Sequence, residues 1–102
     1  MAWIDVCADG SLAEGEHSLV DIGGGMEVAV FRVQGAYYAV EDVCSHDDGP
    51  LADGELVGCQ IICPRHGSRF DLRTGEALNL PAYRPIETFP VEIRDGRVLI
   101  EA

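Results

Sequence analysis

Lysine is missing from this chain: all seven basic side chains are arginines, set against eighteen Asp and Glu for a formal net charge of −11. Nucleic-acid backbones are bound through clustered cations, so this deficit argues against such a partner. Anionic lipid is disfavoured for the same reason, and a basic protein surface is the natural complement. No apolar run approaches the roughly 18–20 residues of a membrane span. The opening MAWIDVCADG has no positively charged n-region, apolar h-region or twin arginine, so the expected location is the cytoplasm. Sustained helical periodicity is also lacking; no window holds it beyond about two turns. Cysteines number only four. In a reducing compartment they are expected to be metal ligands or free thiols rather than a disulfide framework.

What is present reads as β-structure in a single domain of 102 residues. HSLVDI and MEVAVFRV are β-rich runs joined by Gly23-Gly24-Gly25, and AYYAVEDV follows the turn QG. These three runs predict an antiparallel meander. TFPVEIR and RVLIEA flank Asp95-Gly96, a strong two-residue hairpin signal because both central positions of a type I′ turn need positive φ. AWIDVC is a candidate edge strand. Between the two β groups, residues 43–81 are richer in Gly, Asp and Pro, with brief strand candidates at ELVG and QIIC. They read as an insertion held by something other than a large core. The expected class is all-β: an antiparallel sandwich whose base is formed by residues 1–42 and 82–102, carrying a small loop-rich subdomain at about 43–81.

That insertion carries the chemistry. From Cys44 to Ser68 the sequence CSHDDGPLADGELVGCQIICPRHGS holds three of the four cysteines and two of the three histidines. Cys44 and His46 are one residue apart, Cys63 and His66 two apart, with sixteen residues between the pairs. Ligands this close together share a metal centre only from a loop, and two loops can clamp it from opposite sides. One thiolate and one imidazole per loop suit either zinc or a two-iron cluster. Zinc is the weaker reading, since zinc fingers usually pair Cys with Cys and His with His. Pro64 stiffens the second loop. Gly67 leaves room for close backbone approach, and its amide and that of Ser68 are candidate donors to a cluster sulfide.

The pattern C-x-H-x16-C-x2-H, filled here as CSH and CPRHG, resembles the Rieske [2Fe–2S] motif. The whole chain is similar to the ferredoxins of bacterial ring-hydroxylating dioxygenase systems, including the segment FDLRTGEAL after the second loop. The resemblance implies one [2Fe–2S] cluster per chain, with Cys44 and Cys63 on a buried iron and His46 and His66 on an outer one. It implies that NLPAYRP, with Pro81 and Pro85, covers the cluster's third side. High-potential Rieske proteins carry an additional disulfide between the two loops, at the positions occupied here by Gly49 and Arg65. They also have a tyrosine that donates to a ligand sulfur, where this chain has Phe70. Both differences, with Asp47 and Asp48 nearby, imply a potential near the low end of the Rieske range. Ser68 matches a sulfide-donating serine and pulls the other way.

The implied function is that of a one-electron carrier, not catalytic alone, passing electrons from an NAD(P)H-dependent reductase to a terminal non-haem iron oxygenase. A redox small subunit of a nitrite-reductase-like complex and a zinc-stabilised interaction module are the alternatives. A carrier that presents one cluster to two partners in turn is expected to be a monomer. Cys7 and Cys59 are expected to be small buried hydrophobes, and His17 a surface residue. Asp47 and Asp48 read as solvated loop acids; Trp3, Tyr37 and Tyr38 as core or sheet-face aromatics. Arg65 and Arg69, beside the second loop, should leave the tip less negative than the flanks.

Overall fold

A computed structural model describes residues 2–102. Among these residues there is no helix, and ten strands form three antiparallel sheets. Their ranges are β1 Trp3–Ala8, β2 His17–Gly23, β3 Met26–Val33, β4 Ala36–Glu41, β5 Glu55–Val57, β6 Gln60–Ile62, β7 Arg69–Asp71, β8 Thr88–Phe89, β9 Val91–Arg94 and β10 Arg97–Glu101. The meander forms as expected, β2-β3-β4, with β8 added at its β4 edge. The Asp95-Gly96 turn has φ of 52° and 74°, as a type I′ hairpin requires, and joins β9 to β10. AWIDVC is indeed an edge strand, β1, paired only with β10.

The run TFPVEIR departs from the single strand expected. Pro90 has no N–H to donate to a ladder, and the chain changes sheet there. Thr88 and Phe89 pair with Val40 and Ala39 of β4, whereas Val91 to Arg94 pair with β10. One proline thus stitches two sheets together.

The side-chain alternation of β3 explains the layering. MEVAVFRV is nearly all apolar because its sheet is covered on both faces. Val28 and Val30 pack with Tyr37, Ala39, Val98 and Ile100 on the side of the β1-β10-β9 sheet. Ala29, Phe31 and Val33 point the opposite way and pack with Val40, Leu51, Ile61, Phe70 and Leu72. The β5-β6-β7 sheet therefore closes over the second face. Contrary to expectation, then, the segment after β4 is held by a core: Leu51, Ile61, Phe70 and Leu72 are all essentially inaccessible. The sequence hides this because β5, β6 and β7 are only three residues each, too short to display a period.

Candidate metal centre

Two loops rise from this second core. The first, Cys44–Gly49, follows β4, and the second, Cys63–Ser68, joins β6 to β7. They close by the same hydrogen bonds. The Cys44 amide donates to the Gly49 carbonyl at 2.7 Å, and the Cys63 amide to the Ser68 carbonyl at 2.7 Å. Conversely, the Cys44 carbonyl accepts from Asp48 N–H at 2.7 Å, and the Cys63 carbonyl from Gly67 N–H at 3.0 Å. Asp48 and Gly67, each four residues past its cysteine, both have positive φ, 61° and 75°. Asp tolerates this left-handed conformation better than most residues and Gly adopts it freely. That is what Gly67 is for: a Cβ there would meet nothing within 4 Å, so crowding is not the reason. Its amide, expected to face a sulfide, is engaged with the Cys63 carbonyl.

The four candidate residues meet in two pairs. Cys44 and Cys63 are buried, at 0% and 1% exposure, and belong to the core built on Phe31 and Phe70. Their Sγ atoms and a carboxylate oxygen of Asp47 lie within 4.8 Å of one another. Burial pushes the Cys44 thiol up, and the neighbouring Cys63 adds to this, while the His46 and Asp47 amides oppose it. Metal capture there must expel protons. His46 and His66 are exposed, with ring centroids 5.1 Å apart and planes at 88°. Soft thiols inside and imidazoles outside thus face one another across two loop tips.

Asp47 is not a simple solvated acid. It accepts from Arg65 Nε at 2.5 Å and Nη2 at 3.1 Å, and from the Gly49 amide at 2.9 Å. These bonds, Arg65 first and then Gly49, hold its carboxyl well below the usual carboxylate range. Its oxygens are therefore committed to the loops rather than offered to a metal. Asp48 is exposed, as expected. Cys59 lies on the β5–β6 turn, half-buried beside Tyr38, and Cys7 is half-buried on β1. Neither is as deeply buried as anticipated, and neither joins the cysteine pair. His17 stacks obliquely on Phe31 at 5.7 Å instead of standing free. Tyr37 is buried, and its hydroxyl donates to Asp9 at 2.9 Å.

The proline-containing segment is tied to both loops. Ser45 Oγ donates to the Arg84 carbonyl at 2.6 Å, and Arg84 Nη2 returns a bond to the Ser45 carbonyl at 2.9 Å. On the other side, Ala82 N–H donates to Ser68 Oγ at 3.1 Å and Asn79 Nδ2 to the Gly67 carbonyl at 3.3 Å. Ser68 is fully buried, and with Ala82 as its donor its own hydroxyl proton remains to be given away. Leu80 and Tyr83 of this segment are each 77% exposed. Sequence reasoning found the segment but not Ser45, Asn79 or Arg84, whose partners lie 39, 12 and 39 residues away.

The donor set fits a [2Fe–2S] cluster of the kind in which thiolates bind one iron and imidazoles the other, since its two chemistries are already sorted by depth. A groove of about 430 Å³ is lined by Tyr37, Tyr38, Leu72, Arg73 and Phe89 among others, and contains none of the four residues.

Comparison with known proteins agrees with this chemistry. The family model described as Rieske [2Fe-2S] domain matches residues 2–90. The ferredoxin component of the naphthalene 1,2-dioxygenase system of Pseudomonas aeruginosa is 40% identical over 99 residues, covering 97% of this chain and 94% of that protein. Among solved structures, a chain in the complex of reduced oxygenase and oxidized ferredoxin in carbazole 1,9a-dioxygenase is 37% identical with a TM-score of 0.91, covering 96% of this chain and 91% of that one. The Sphingomonas yanoikuyae B1 ferredoxin is 36% identical with a TM-score of 0.89, covering 99% of each chain. Paired loops of the same backbone geometry, thiols sorted inward and imidazoles outward, and a match across nearly the whole chain have one explanation: this chain belongs to the Rieske [2Fe-2S] domain family.

Proposed function

We propose that the protein is a soluble, cytoplasmic, monomeric electron carrier that takes single electrons from a reductase and delivers them to a terminal oxygenase. In this reading Cys44 and Cys63 bind one iron of the cluster and His46 and His66 the other. Residues 43–81 act as the cluster-holding part of one domain whose base is 1–42 and 82–102. The observation that carries the reading is the sorting of donors by depth, with both cysteines buried and both imidazoles exposed. When bound, the cluster stores and releases one electron. The buried cysteines keep water from its inner side, and the exposed imidazole edges give a docked partner a short path. The oxygenase-system relatives described above favour this reading over a nitrite-reductase subunit.

Charge supports a docking face of mixed sign. Arg65, Arg73, Arg94 and Arg97 are each paired with an acid. Arg69 and Arg84, beside the loops, donate to the uncharged oxygens of Gln60 and Ser45. Among the described residues Arg69 and Arg84 thus have no acid partner, on a chain whose net charge is −11. Reconstitution with a reductase and an oxygenase of a dioxygenase system tests the function: oxygenase turnover must depend on this protein. Electron delivery should also slow as salt shortens the screening length to roughly 8 Å at physiological ionic strength. Turnover without the protein would contradict the carrier role, and rates indifferent to salt would contradict steering.

A further inference from the structure

The resemblance to high-potential Rieske proteins places Gly49 and Arg65 at the two positions of their loop-joining disulfide. The side chain of Arg65 fills that place. A Cβ built on Gly49 would lie 2.5 Å from the guanidinium carbon, 2.6 Å from Nη2 and 2.8 Å from Nε, so the arginine head lies against the bare glycine backbone. From there it reaches Asp47 through two nitrogens, Nε to Oδ2 at 2.5 Å and Nη2 to Oδ1 at 3.1 Å. Asp47 is fixed in turn by the Gly49 amide at 2.9 Å, and its Oδ2 lies 3.6 Å from His66 Nδ1. Residue 65 of the second loop is therefore gripped by residues 47 and 49 of the first.

We infer that Asp47, Gly49 and Arg65 form a non-covalent clasp across the two ligand loops, which fixes their separation and neutralises the carboxylate beside His66. The inference rests on the ligand assignment proposed above. Isolated surface ion pairs rarely contribute measurably. This one differs in three respects. It is a two-point contact between planar groups, it is seated on a glycine that admits it, and it joins segments 18 residues apart that hold one cofactor. Unlike a disulfide it is weakened by salt, and its charges act on the cofactor as well as on the loops.

The test follows iron release from the holoprotein to a chelator by visible absorbance, with the reduction potential measured alongside. Arg65→Gln should speed release about fivefold, the factor expected at the upper end for a partly exposed ion pair. Arg65→Lys should fall between, because an ammonium keeps the charge but loses the fork. Gly49→Ala is the decisive variant. Its methyl meets only the far end of a flexible side chain, so the fold can survive by moving Arg65 aside. It should match Arg65→Gln and add nothing to it in the double variant. Salt should accelerate release from the unmodified protein and much less from Arg65→Gln. The potentials separate a clasp with an electrostatic role from mere loosening. Arg65→Gln exposes the Asp47 charge and should lower the potential, whereas Asp47→Asn removes that charge and should raise it, although both speed release. Equal release from the unmodified protein, Arg65→Gln and Gly49→Ala would overturn this inference alone, as would potentials shifting in the same direction. An unmodified protein without the cluster would overturn the ligand assignment and this inference with it.

Discussion

Cys44→Ser, His46→Ala, Cys63→Ser and His66→Ala should each yield a folded but colourless protein without stoichiometric iron and sulfide, while Cys7→Ser and Cys59→Ser keep both. The expectation follows from position. Cys44 and Cys63 share one buried pocket at the root of two loops, and a serine hydroxyl there is a poor substitute for the soft thiolate that holds iron. In the proposed assignment each imidazole is one of two on the outer iron, so removing either would leave that iron half-ligated by the protein. Cys59, although only three residues separate it from Cys63, sits on a different turn beside Tyr38 and away from the pair. Iron and sulfide analysis together with the visible spectrum decides the matter. A Cys59→Ser protein that folds but lacks the cluster would refute the assignment, as would a fully loaded His66→Ala protein.

Phe70→Ala should produce the largest loss of stability among single core changes near the site. Phe70 is 0% exposed in β7 and packs in the same core as both candidate cysteines, Leu51 and Leu72. Truncating such an aromatic costs about 3–5 kcal/mol through lost transfer energy and the cavity left behind. Small domains have only about 5–15 kcal/mol in total, so the variant should sit near the edge of folding. The short β5-β6-β7 sheet gives little room for relaxation, since Phe70 also bridges to Ala77 outside the strand. Leu80→Ala is the matching control: its side chain is 77% exposed, and the change should stay within about 0.5 kcal/mol. Denaturant midpoints of the holoproteins measure both. A Phe70→Ala loss below about 1 kcal/mol would mean that this core does not hold the loops.

Much of the architecture was legible because its signals are local. The Asp95-Gly96 turn and the β-rich runs that form β2 and β3 each follow from neighbours in sequence. Cys44, His46, Cys63 and His66 were legible for a similar reason, since two close pairs of soft and imidazole donors have few other uses. What escaped is long-range. Nothing in CSHDDG announces that Asp47 reaches Arg65 of the other loop, or that Arg84 ties back to Ser45. Nor does Pro90, inside a run read as one strand, announce that the chain changes sheets there. The core beneath the loops escaped because three-residue strands carry no readable period, and a Gly-rich, Pro-rich composition masked Leu51, Ile61, Phe70 and Leu72.

A redox titration of the purified protein at neutral pH, followed by its visible absorbance, tests the central claim most directly. Phe70 has no hydroxyl to give a ligand sulfur, and the chain as a whole carries a net charge of −11, both of which disfavour the more negative reduced state. A coloured protein titrating as one electron with a midpoint of about −150 mV, near the low end of the Rieske range, is the predicted result. A colourless protein, or a midpoint above zero, would contradict the account.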